Sequence, residues 1–383
     1  MIRFELLAVL LASLLFAALS LQLSGGNAIV YIAPMPPPEA TPTALPSGSP
    51  VVLPPLTLGI PAPASTTPSK KTPSSAKPRP TIVASSTTPL PIPPAPIAVP
   101  PPASQNALDT ASAAVRSALV NIICFAPAGS RIRSISGSGI IVDAQGYILT
   151  DAHVAQYLLL TDQGVSCTIR KGDPAVNAYR AKIAFIPAPW IRDNAAVITQ
   201  VAPSGTGERD FAILAITGSA TKSPLPASFP AVPLAFSVPA QGTPVVIASD
   251  GAQLLELAHI ESALSPTIVF GSIQKIFTFN ADTADVLSIG GSAASQEGSS
   301  GGGVVNASGE LVGDITTSTI EGDTSTRTLS AITAAYIRRE YALETGESLN
   351  ALFMVSPSVA ATTFAPQAPA LEALLLAALA AAQ

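Results

Sequence analysis

Residues 298–315 read GSSGGGVVNASGELVGDI, a Gly/Ser run that passes without a break into alternating turn and apolar segments. A flexible spacer has the same first letters, but a spacer has no reason to be followed at once by strands that need burial. The tetrapeptide NASG (306–309) is flanked by apolar runs on both sides, so the segment reads as a hairpin. Glycines around Ser300 permit a tight loop in which successive backbone N–H groups converge on one point. A serine framed in this way is a candidate nucleophile, and the glycine register favours Ser300 over its neighbour Ser299.

A second hairpin of the same kind lies about 160 residues upstream, in GSGIIVDAQGYILTDAHV (137–154), where DAQG supplies the turn. Two such hairpins suggest two similar halves. Between and around them stand VNIICFA, VSCTIR, RAKIAFI, FAILAI, TPVVIAS and TIVFGSIQKI, short β-branched runs punctuated by Gly, Asp and Pro. That spacing predicts an all-β fold, a barrel or a sandwich. Helical pattern is confined to 107–119, to 331–343 and to the nearly all-apolar tail 369–383, for which a packed or surface-lying helix is expected.

Chemistry-bearing residues are sparse. His153, one of two histidines, follows the strand of the first hairpin. Asp210 in GERDFAILAI stands at the root of a buried strand, where a carboxylate can accept from an imidazole Nδ1 and fix its tautomer. His259 has no surrounding motif and reads as structural; Asp193 and Asp250 read as turn residues, Asp193 being the alternative acid. Cys124 and Cys167 lack the paired spacing of a zinc site, leaving one disulfide or two buried thiols. No metal or cofactor is expected.

The two ends bound the rest. Arg3 precedes an uncharged apolar run from Leu6 to Leu23, so 1–25 reads as a signal anchor or signal peptide. Of 38 prolines, 23 fall between Pro34 and Pro102, which makes 26–106 a disordered Pro/Ala/Ser/Thr-rich linker. Either reading of the N-terminus places the remainder outside the cytoplasm, membrane-anchored through one N-terminal helix or secreted. A net charge of −5 with 11% charged residues opposes nucleic-acid binding. A homo-oligomer is compatible with the sequence.

The segments GSGIIVDAQGYILTDAHV, RDFAILAI and GSSGGGVVNASGELVGD, in that order, resemble the trypsin-like serine proteases of the chymotrypsin fold, and among them the bacterial HtrA/Deg group. The resemblance implies two six-stranded antiparallel β-barrels with a C-terminal helix, over a protease domain at 107–345 (barrels at about 115–220 and 230–330) followed by the apolar tail 346–383. It implies His153 as general base, Asp210 as its orienting acid, Ser300 as nucleophile and the amides of Gly298 and Ser300 as oxyanion hole. It places Ala294 at the floor of the primary pocket, with Ile315, Thr316 and Thr317 lining it and pairing with substrate backbone. An uncharged floor suits cleavage after small or medium apolar residues. Cys124 and Cys167 would lie on adjacent strands of the first barrel, which favours the disulfide. The resemblance is incomplete: Asp151 stands where Asn or Ala is usual, Ser299 where Asn or Asp is commoner, and Gly303 replaces a proline. Only some forty residues follow Arg339, so no PDZ module is expected. The implied function is a serine endopeptidase acting on exported or envelope proteins; the alternative is an inactive protease-fold scaffold.

Overall fold

The computed structural model describes residues 104–200, 205–252, 255, 257–280, 282–318 and 327–382. The predicted anchor at 1–25 and all but the last few residues of the predicted linker lie outside them. Helix α1 (Gln105–Ala118) begins where Ser104 Oγ accepts the Ala107 N–H at 3.3 Å. Leu108, Ala111, Val115 and Ala118 recur at helical spacing and are buried in one core with the strands.

Strands β1 (Leu119–Phe125), β2 (Ile135–Asp143), β3 (Tyr147–Thr150), β4 (Ser166–Gly172), β5 (Ala175–Phe185) and β6 (Ala212–Ser219) close into an antiparallel barrel of order β1-β2-β3-β6-β5-β4. Ile122, Ile140, Ile148, Leu149, Ile213 and Leu214 in its wall have no exposed surface. The DAQG turn works because Asp143 Oδ1 accepts the Gln145 N–H at 2.8 Å and Gly146 takes φ +102°. Cys124 stands opposite Cys167 in the β1/β4 register, and the two form a disulfide. Short helices α2 (Ala152–Ala155) and α3 (Ala188–Asn194) fill the connections.

The second half is a curled sheet of seven strands: β7 (Pro244–Ser249), β8 (Thr267–Ser272), β9 (Lys275–Phe277), β10 (Val286–Ser288), β11 (Gly303–Asn306), β12 (Leu311–Ser318) and β13 (Leu329–Thr333), in the order β8-β7-β11-β12-β13-β10-β9. Helix α4 (Leu257–Ala263) lies between β7 and β8. The end strands β8 and β9 are separated only by Ile273 and Gln274. The Ile273 N–H donates to Thr243 O at 3.0 Å, beside β7, and the Gln274 N–H to Ser288 O at 2.8 Å, on β10. One bent segment thus bonds to both ends of the sheet and curls it round, which is why seven strands stand where six are expected. The NASG turn repeats the chemistry of DAQG: Asn306 Oδ1 accepts from Ser308 N and Glu310 N, and Gly309 takes φ +77°.

Between the halves, the Val232 N–H donates to Ile141 O on β2 and the Leu311 N–H on β12 donates to Pro233 O, so one connector is stitched to both. The C-terminal helices α5 (Ala334–Thr345), α6 (Leu349–Phe353), α7 (Pro357–Phe364) and α8 (Ala368–Ala381) complete the fold. Thr333 Oγ1 caps α5 by accepting the Tyr336 N–H, and Gly346 ends it at φ +76°. The stretch Pro357–Ala381 is long and apolar enough to cross a membrane. Its Phe364, Leu371, Leu375 and Leu379 are buried in the same core as the barrels.

Candidate active site

β3 delivers His153 on α2, and the chain before β6 delivers Asp210. Arg209 adopts φ +57° to turn Asp210 inward; its N–H donates to Tyr336 Oη at 2.9 Å and its Nε to Glu340 at 3.2 Å. Both partners lie on α5, so the C-terminal helix holds this turn. Asp210 then grips the histidine twice: Oδ2 lies 2.8 Å from Nδ1, and Oδ1 accepts the His153 backbone N–H at 2.9 Å. A carboxylate at Nδ1 assigns the proton to that nitrogen and leaves Nε2 as acceptor. Gln156 Nε2 donates to His153 O at 2.9 Å, securing the helix that carries the ring.

The loop with Ser300 is fixed from the first barrel. Ser138 on β2 makes four bonds there: its N–H donates to Ser300 O (2.8 Å), its Oγ donates to Gly298 O (2.7 Å) and accepts the Asp250 N–H (2.8 Å), and its carbonyl accepts Thr150 Oγ1 (2.7 Å). Gly301 takes φ +82°, and a Cβ there would lie 2.1 Å from Ser138 O and 2.3 Å from Thr150 Oγ1. The serine loop therefore lies against the wall that carries His153. Among the described residues neither the Gly298 nor the Ser300 amide has an intramolecular acceptor, whereas those of Ser299 and Gly301 donate to Gln296 O and Ile315 O. Ser300 Oγ forms no hydrogen bond among the described residues, so the His153–Asp210 pair is joined and the serine is not yet linked to it. Ser299 is buried, and its Oγ accepts from Ser249 Oγ.

Ala294 has no exposed surface, Ile315 is buried and tied to Gly301 and Gly302 by two backbone bonds, and Thr316 is nearly buried. Thr317 pairs with Ser330 in the β12/β13 register. Asp193 lies exposed on α3 and His259 exposed on α4, outside the site. Asp250 is no simple turn residue: it is buried behind the serine loop, and burial pushes its carboxyl up to about 7, against the pull of Arg170.

Sequence reading gave no role to three contributors. Ser138 was hidden in the GSG inside β2. Asp314, an acid inside the apolar run LVGDIT, is fully buried, as is Asp151, whose Oδ2 lies 3.7 Å from His153 Nδ1. Burial holds both carboxyls well above the ordinary range, helped by repulsion from Asp314 and Asp210 at Asp151 and from Asp210 at Asp314. Donor atoms of Asp151, His153 and Asp210 lie within 4.8 Å of one another, a spacing that also suits a metal ion. Nδ1 is already committed to Asp210 and Asp151 is sealed from solvent, so His153 and Asp210 read as a hydrogen-bonded acid–base pair with Asp151 beside it.

With this geometry in place, residues 137–313 match the trypsin-like peptidase domain family, and the fold is that of a trypsin-like peptidase domain. Among solved structures, the Rv3671c protease of M. tuberculosis in its active form is similar at 19% identity and a TM-score of 0.39, over 67% of this chain and 94% of that one. An inactive form of Rv3671c with a serine-to-alanine substitution gives 19% identity and 0.38, over 66% and 97%. No curated protein sequence matches this chain.

Proposed function

We propose that the protein is a serine endopeptidase in which Ser300 attacks the substrate carbonyl, His153 takes its proton and returns it to the leaving amine, and Asp210 holds the imidazolium. The reading rests above all on the two-point grip of Asp210 on His153 at 2.8 and 2.9 Å within a trypsin-like peptidase domain. The free amides of Gly298 and Ser300 are the oxyanion donors, each worth about 3 kcal/mol of transition-state stabilisation at comparable sites. The bond from Ser300 to His153 forms on substrate engagement, since such contacts tighten in the Michaelis complex. Ala294 at the pocket floor carries no charge, which supports cleavage after small or medium apolar residues. The substrates are exported or envelope proteins, reached by a domain anchored or secreted through its apolar N-terminus.

The test is labelling of the purified protein by a fluorophosphonate probe. Labelling is expected in the wild type and in Ser299→Ala, and is lost in Ser300→Ala and His153→Ala. A folded wild type that takes no label would bring the scaffold reading forward.

A further inference from the structure

Behind the His153–Asp210 pair, the carboxyls of Asp151 and Asp314 face one another with no exposed surface. None of their four oxygens has a hydrogen-bond donor. The nearest backbone donor, the Gly301 amide, is already given to Ile315 O at 2.8 Å. Two bare carboxylates in contact cannot both be ionised in such a place, because each would be desolvated and repelled by the other. A single proton between them answers both demands: one carboxyl becomes the donor that the other lacks.

We propose that Asp151 and Asp314 hold one shared proton and act as positioning residues for His153, their remaining single negative charge lying beside Nδ1 and favouring the imidazolium that forms during catalysis. The charged groups that face the pair are Asp210, from the turn before β6, and His153, on α2. Asp210 holds Nδ1 at 2.8 Å, and Asp151 Oδ2 lies 3.7 Å from the same nitrogen. Asp151, one of the positions that depart from the trypsin-like pattern, thereby gains a partner in Asp314. Burial and the neighbouring acids hold both carboxyls far above their ordinary range, in keeping with a retained proton at neutral pH. The inference rests on reading His153 as the working base.

The experiment uses the full chain with Asp151→Asn, Asp314→Asn and both together. Asn mimics the protonated acid and supplies the hydrogen bond permanently, so each single variant keeps one negative charge and the double variant keeps none. Nitrogen NMR of the two histidines, assigned with His259→Gln, reads the protonation midpoint of His153. The expected result is a fall of about one pH unit or more in the double variant, with either single variant moving less than half as far. The acid limb of the fluorophosphonate labelling rate should follow the same order. Superimposable titrations of wild type and double variant would overturn the proposal. If the double variant does not fold, difference infrared on the singles, all in an Asp250→Asn background that removes the other buried acid raised to about 7, decides: a protonated-carboxyl band at neutral pH should be present with the pair intact and absent from each single variant, and its absence with the pair intact refutes the shared proton. A wild type that takes no label but shows the His153 shift would sink the peptidase reading and leave the proton pair standing.

Discussion

Gly301 shows how little room the serine loop has. A methyl group there would meet Ser138 O and Thr150 Oγ1 at 2.1 and 2.3 Å, from a backbone at φ +82° that L side chains rarely adopt. Gly301→Ala is therefore expected to destabilise the protein by about 3 kcal/mol or more, read as a lower urea midpoint, and to abolish labelling. Ser138→Ala removes one donor and one acceptor without a clash; a loss of about 1–3 kcal/mol and slower labelling are expected. Asp250 carries a pH dependence whose sign follows from its raised value of about 7. The stability tied to its proton is complete below the ordinary carboxylate range and is lost as pH rises through about 7. Asp250→Asn should flatten that part of the stability–pH curve, by on the order of 4 kcal/mol between acid and alkaline limits; an unchanged curve would show that Asp250 is not the group concerned. His153, Asp210 and Ser300 were singled out by the resemblance of their three segments rather than by position alone, and the structure brings His153 and Asp210 into hydrogen-bond contact. Asp314 was not, since an acid inside an apolar run announces burial without naming its partner.

At the scale of elements, the two hairpins were legible in full because Asp143, Asn306 and the following glycines are local turn chemistry. The bend at Ile273–Gln274 was not, because GSIQKI reads as continuous strand and only the sheet beyond it imposes the break. The disulfide between β1 and β4 closes 43 residues. Cys124→Ser with Cys167→Ser is expected to cost about 2–4 kcal/mol, measured as a fall in Tm without change in the barrel's circular dichroism. The C-terminal helices carry a comparable share. Leu375 on α8 is fully buried, and Leu375→Ala is expected to cost about 2–5 kcal/mol. A variant as stable as the wild type would mean that α8 rests on the barrel without supporting it.

At the scale of the whole molecule, neither half makes the site alone. The first barrel gives His153 and Asp210, the curled sheet gives Ser300, and Ser138 joins them by two bonds to the loop around the serine and one from Asp250 behind it. The order of these residues along the chain was legible; their mutual fixing was not, because it depends on contacts more than a hundred residues apart, such as that of Arg209 with Tyr336. Tyr336→Phe tests that long-range hold: removing the acceptor for the Arg209 N–H should cost about 1–2 kcal/mol. Labelling should fall several-fold because Asp210 loses its fixed turn. Stability lost with labelling intact would assign Tyr336 to packing alone.

The clamp of α5 on that turn also sets an order in time. On the ribosome, Asp210 emerges long before Tyr336 and Glu340, and Ser300 emerges between them. Under the proposed mechanism, a nascent chain thus holds His153 and Ser300 before Asp210 is fixed in place, and the site is assembled only when the last helices are laid on.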